Sequence, residues 1–217
     1  MSERLRHGRV ELALHRLRGG GGRTLLLLHG LGGRSPGELP GDVAAWPGPV
    51  AALDFTGHGD STRPLGGGYY DELMLGDADA ALARLGEVTL VGRGLGAWVA
   101  LLLAGSRPRA VRGAILCDGP GLAGGGPAPS DPTLVLPTPA AHAQDPDPLA
   151  LLELGRQVRP PSYAASFLAL AVARSGLARP VWLCASERPP WLAELASRPG
   201  AGVAPLAHAL AACAAAG

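Results

Sequence analysis

Lysine and asparagine are both absent from the 217 residues, so all 19 basic residues are arginine. With Ala, Gly, Pro and Leu also abundant, this points to GC-rich coding, and the formal net charge is only +1. A nucleic-acid surface needs a marked excess of one sign. The densest basic group, Arg4 to Arg23, instead alternates with apolar residues, with Glu3 beside it and Glu11 within it, as a solvated strand face does. No nucleic-acid partner is therefore expected. Long apolar runs are lacking too. The longest, Ala97 to Ala104, falls far short of the roughly 18 residues a spanning helix requires. The start, Met-Ser-Glu-Arg, carries no apolar signal segment, so the expectation is a soluble cytoplasmic protein with no membrane partner. Cysteine is scarce: Cys117, Cys184 and Cys213 are odd in number, far apart, and free of CxxC or Cys/His spacing. They are expected to pack as small hydrophobes, with no metal and no cofactor.

What the chain has is alternation. Glu3 to His7 and Arg9 to Leu17 read as a hairpin, the second arm setting Val10, Leu12 and Leu14 against Glu11, Ala13 and His15. Strands are then expected at Thr24–Leu28, Val50–Asp54, Val88–Val91, Val111–Cys117, Pro180–Ala185 and Val203–Leu206, with helices at Asp71–Leu85, Ala97–Ala104, Pro148–Val158, Ser162–Ala173, Trp191–Ser197 and the alanine-rich terminus. Such alternation predicts a mainly parallel sheet covered by helices on both faces. The length suits one domain, residues 1–217, with a core that needs no disulfide. Gly119 to Pro148 is rich in Gly, Pro, Ala and Asp and has little periodicity, so an extended excursion of about 30 residues is expected there.

Three strand ends carry motifs. Thr24–Leu28 runs into His29-Gly30-Leu31-Gly32-Gly33, and Val50–Asp54 runs into Asp54-Phe55-Thr56-Gly57-His58-Gly59-Asp60-Ser61. The strand Glu87–Val91 runs into Gly92-Arg93-Gly94-Leu95-Gly96. The last has the frame of the G-x-S-x-G nucleophile elbow with Gly94 in the serine's place. In their order, each at the carboxyl end of an expected strand, the three resemble the α/β-hydrolase family, well over residues 1 to 120 and thinly beyond. The resemblance implies an α/β-hydrolase fold with a reduced cap at about 119–175. It also implies oxyanion-hole backbone amides at Leu31 and Leu95, and His29 and His58 holding turns by hydrogen bonds. His7, His15 and His142 read as isolated surface residues.

Acyl transfer on that scaffold needs a nucleophile, a base, an orienting acid and two amides. Gly94 cannot attack a carbonyl; Ser61 is a turn residue, Ser106 ends the elbow helix, and Cys117 lies in an apolar run. The acid has two candidates. Asp118 ends a strand but precedes Gly119-Pro120, an ordinary turn sequence, and Glu187 lies in Ser186-Glu187-Arg188-Pro189, where the family commonly has G-E-x-D. His208 is the candidate base by position after the last expected strand, and it equally suits the first turn of the terminal helix. Gly92–Gly96 lacks the third glycine of a dinucleotide fingerprint.

Three readings follow. The leading one is a family member without serine-dependent hydrolysis that binds a small apolar or carbonyl-bearing ligand or serves an interaction role. The second is a serine-independent enzyme using a His-Asp base, which requires His208 within hydrogen-bond reach of Asp118 or Glu187 and facing Gly94. The third keeps hydrolysis of small esters or amides through a non-standard site. The sequence leaves the oligomeric state open.

Overall fold

The computed structural model describes residues 2–125, 142 and 145–216. The chain opens with the expected hairpin, β1 (Ser2–His7) and β2 (Val10–Arg18), paired antiparallel from Ser2 opposite His15 to His7 opposite Val10. Next come β3 (Thr24–Leu28), a 3₁₀ turn at Gly41–Val43, β4 (Val50–Leu53), α1 (Asp71–Leu85), β5 (Val88–Arg93), α2 (Leu95–Ser106) and β6 (Val111–Cys117). Then follow α3 (Pro148–Gly155), α4 (Pro161–Ser175), β7 (Val181–Leu183), α5 (Pro190–Ala196), β8 (Ala201–Val203) and α6 (Leu206–Ala215).

One eight-stranded sheet results, in the order β1-β2-β4-β3-β5-β6-β7-β8. β2 pairs antiparallel with β1 and β4, and every other pairing is parallel. Strand side chains alternate between faces. Leu26, Leu28, Leu90 and Leu116 join the core under α1, α2, α4 and α5, while Leu25, Val91, Ile115 and Trp182 join a second core under α6 and the 3₁₀ turn. Because both faces are covered, the central strands read as continuous apolar runs, not as alternating ones. α2 is buried from Leu95 to Gly105, which is why it carries no amphipathic stripe.

The chain leaves β3 toward β4 on one side and returns through α1 to β5 on the other, so the strand order reverses between β3 and β5. In open α/β sheets ligands bind in the crevice at the carboxyl ends of the strands flanking such a reversal.

One expectation needs correction. The last strand is Ala201–Val203, not Val203–Leu206, because parallel pairing with β7 sets Val181 opposite Ala201 and Leu183 opposite Val203. Pro205 then lies at the start of α6, making His208 the third helical residue. The excursion at 119–148 largely falls outside the described residues, since 126–141, 143 and 144 are not described. Of the reduced cap expected at about 119–175, the described parts are 119–125, α3 and α4, and α4 packs along α2 and α5.

Candidate functional site

β5 ends at Arg93, and the chain turns sharply into α2 through Gly94, at φ 57 and ψ −118. That is the left-handed side of backbone space, where a Cβ costs energy. The turn also lets strand and helix touch: a Cβ on Gly96 would meet the Leu28 carbonyl carbon at 2.6 Å. The space above Gly94 is filled. A Cβ there would overlap Pro120 O and lie 2.6 Å from the Gly119 carbonyl carbon, so the loop after β6 folds back over the turn.

The same loop occupies the two backbone amides. Leu31 N–H donates to Pro120 O at 2.9 Å and Leu95 N–H donates to the same oxygen at 3.0 Å. Five further hydrogen bonds fasten the loop. Gly94 N–H donates to Cys117 O at 3.2 Å. The buried Arg159 guanidinium donates to Gly121 O and, at 2.6 Å, to Leu122 O, which also accepts from Trp191 Nε1 at 2.9 Å. Gly125 N–H donates to Gln157 O at 2.8 Å. Arg159 lies over the Trp98 ring, 5.8 Å from its centroid, and Trp98 Nε1 donates to Asp71 at 2.9 Å. Burial pulls the Arg159 guanidinium down to about 10 against the Asp71 charge, and burial pushes the Asp71 carboxyl up to about 6 against Arg159 and Trp98. Nothing in the sequence marks Arg159 as an anchor, since its partners are backbone carbonyls 37 and 38 residues away.

Asp118 points across to the end of β7. Its carboxylate accepts from Ser186 N–H at 2.7 Å, Ser186 Oγ at 2.6 Å and Glu187 N–H at 3.0 Å. Partial burial works to raise its carboxyl, and these donors with the Arg188 charge outweigh it and hold the carboxyl below the ordinary value. Glu187 is exposed and gives Asp118 its backbone amide. His208 is exposed on α6, its ring edge-on to Trp182 with centroids 5.6 Å apart. Among the described residues, His208 makes no hydrogen bond to Asp118 or Glu187. Asp118 and Glu187 are thus brought together with each other, Gly94 with Leu31 and Leu95 around Pro120 O, and His208 with neither group.

The histidines after β3 and β4 hold turns. His29 Nδ1 donates to Gly30 O at 2.7 Å while Nε2 accepts from Phe55 N–H at 3.1 Å; His58 Nδ1 donates to Thr56 O at 3.1 Å while Nε2 accepts from Gly32 N–H at 3.2 Å. Each ring therefore uses both nitrogens in the neutral form. Burial lowers both, His58 to about 4, where the neighbouring His29 adds to the effect. His7 and His15 are not isolated. His7 Nδ1 bonds Asp77 at 2.8 Å and is raised by it, and His15 Nε2 bonds Asp54 at 3.0 Å. The signal missed was the partner: Asp77 lies on the buried side of α1 and Asp54 directly follows β4, both far away in sequence.

His15, Asp54 and Asp60 also converge closely enough to hold a cation. Asp54, however, already accepts from Ser35 N–H at 2.6 Å, Asp60 N–H at 2.9 Å and His15, so its oxygens are spoken for. Cys117 and Cys184 follow the paired Leu116 and Leu183 on neighbouring strands. A hydrogen bond from Cys184 lowers the Cys117 thiol, and the same contact raises Cys184; burial pushes Cys213 up to about 11. Beside the elbow, a mostly apolar cavity of about 200 Å³ opens between the ends of β3, β4 and β5 and the segment 34–43. No helix among the described residues is long and apolar enough to cross a membrane.

Comparison with known proteins agrees with this architecture. The model of the Alpha/beta hydrolase family matches residues 25–215. The N-formylmaleamic acid deformylase of Pseudomonas putida S16 superposes with a TM-score of 0.64 at 16% identity, over 94% of this chain and 91% of that one. A bacterial membrane phospholipase A superposes with a TM-score of 0.53 at 18% identity, over 95% of this chain and 78% of that one. VinJ is 23% identical over 54% of this chain, with a TM-score of 0.46, and the match spans only 43% of VinJ. Among curated protein sequences no match is found. With the sheet order, the three strand-end turns and a family match across residues 25–215, the chain belongs to the α/β hydrolase family.

Proposed function

We propose that this chain is a member of the family that does not carry out serine-dependent hydrolysis and instead binds a small, apolar or carbonyl-bearing molecule. The observation that carries the reading is Pro120 O. It lies 2.9 Å and 3.0 Å from the amides of Leu31 and Leu95, at the distance an oxyanion would take from its donors. A substrate carbonyl would have to displace that oxygen, and Gly94 offers no nucleophile beneath it. The serine-independent alternative gains no support, because among the described residues His208 has no carboxylate partner of the kind a general base requires. Three free cysteines support a reducing compartment such as the cytoplasm.

The test is labelling with a fluorophosphonate probe together with turnover of p-nitrophenyl acetate, for wild type and Gly94→Ser. Neither protein is expected to label or to turn over the ester above the rate in buffer. Stoichiometric labelling of a serine in the wild type, or turnover that the probe abolishes, would sink the reading.

A further inference from the structure

We infer that the cavity at the carboxyl ends of β3, β4 and β5 is a binding site for a small, uncharged, largely apolar molecule. The inference rests on the reading that the space over Gly94 is closed, and it says where a ligand goes instead. The cavity holds about 200 Å³ and is walled chiefly by Leu27, Pro36, Val43, Ala52 and Val91. Val43 and Val91 belong to the core under α6, which places the cavity on the sheet face away from α2. It lies beside the reversal of strand order between β3 and β5, where open α/β sheets take their ligands. Its volume is below the roughly 300 Å³ at which drug-sized pockets begin, and above the roughly 150 Å³ at which an apolar cavity takes up a molecule such as benzene.

The polar groups on the wall decide the ligand's chemistry. His29 has both ring nitrogens engaged, with Gly30 O and Phe55 N–H. Arg93, at the mouth, is ion-paired with Asp42 of the 3₁₀ turn. A charged ligand group would shed its water here and find neutralised partners, whereas apolar surface gains from burial. The Ser35 hydroxyl lies against the Asp54 carboxylate, whose charge it favours, and its oxygen is buried, so it adds no free partner for a ligand.

The test uses the full chain with labelled Leu and Val methyl groups, titrated with cyclohexanone and separately with cyclohexanecarboxylate. Cyclohexanone is expected to shift the methyl resonances of Leu27, Val43 and Val91 saturably, and the carboxylate to bind at least about ten-fold more weakly, since its charge loses hydration without a free partner. Ala52→Leu, which fills part of the cavity, is expected to weaken cyclohexanone by at least about ten-fold through lost space. If Ala52→Leu does not fold, Val43→Leu serves for the same measurement. No saturable shift, carboxylate binding as tight as the ketone, or affinity unchanged in a folded variant overturns the site. Shifts confined to Leu31 and Leu95 also overturn it, since they place the ligand over Gly94. Fluorophosphonate labelling on the same samples reads separately: a labelled serine defeats the non-hydrolytic reading, whatever the methyl spectra report.

Discussion

Gly94 combines two constraints that a side chain would violate together. A residue with a Cβ at φ 57 costs on the order of 1 to 2 kcal/mol, and the same Cβ would overlap Pro120 O. Gly94→Ala and Gly94→Ser should therefore each lose at least about 2 kcal/mol, because strain adds to a clash with backbone that cannot rotate away. Urea midpoints measure this, and a variant as stable as wild type would mean the loop does not cover Gly94. His58 gives a pH signature. Its folded pKa is lowered to about 4 from 6.5, so the unfolded chain takes up a proton before the native protein does as pH falls. The stability that neutral His58 contributes is fully present above pH 6.5 and is lost on acidification down to about pH 4, by roughly 3 kcal/mol at most. In His58→Gln the slope of stability against pH in that window should shrink without vanishing, since His29 is lowered too. An unchanged slope by denaturation across that window would count against a buried neutral His58.

Among the elements, the loop after β6 has the greatest consequence for the site. Its turn sequence Asp118-Gly119-Pro120 is legible, but its destination is not, because Leu31 and Leu95 reach Pro120 O only once β3, β5 and β6 lie side by side. Arg159 fixes it from below through Gly121 O and Leu122 O. Arg159→Met keeps much of the stem's packing, removes both bonds and leaves the buried Asp71 charge uncompensated. It should cost about 2 to 4 kcal/mol. It should also speed hydrogen exchange at Leu31 and Leu95, whose protection depends on Pro120 O staying in place. Loss of stability with unchanged exchange at those two amides would show that Arg159 supports the core but not the loop. The misplaced β8 has a similar cause. Val203 to Leu206 has strand-like composition, but pairing with β7 uses up Ala201–Val203, and Pro205 starts a helix in which His208 falls on the exposed side.

The molecule as a whole is joined across its helical layer by Trp98. It lies fully buried on α2, edge-on to Trp191 of α5 at 5.1 Å, tilted to Tyr163 of α4 at 6.1 Å, and bonded to Asp71 of α1 at 2.9 Å. Trp98→Ala should cost about 3 to 5 kcal/mol, as large-to-small changes in a packed core do, and should lower Tm as one cooperative transition in calorimetry. Separate early melting of α4 and α5 would show that they do not share that core. The sequence by itself determined the order of strands and helices, the parallel sheet and the three glycine-rich turns, with Gly94 at the centre of the last. These are set by local periodicity, backbone freedom and neighbours close in the chain. Only the tertiary structure decided that Pro120 O fills the amides of Leu31 and Leu95, that His7 and His15 pair with Asp77 and Asp54, and that His208 turns away from Asp118. Each of these depends on where a distant segment comes to rest, and that is fixed by sheet register and burial, which no short window of residues contains.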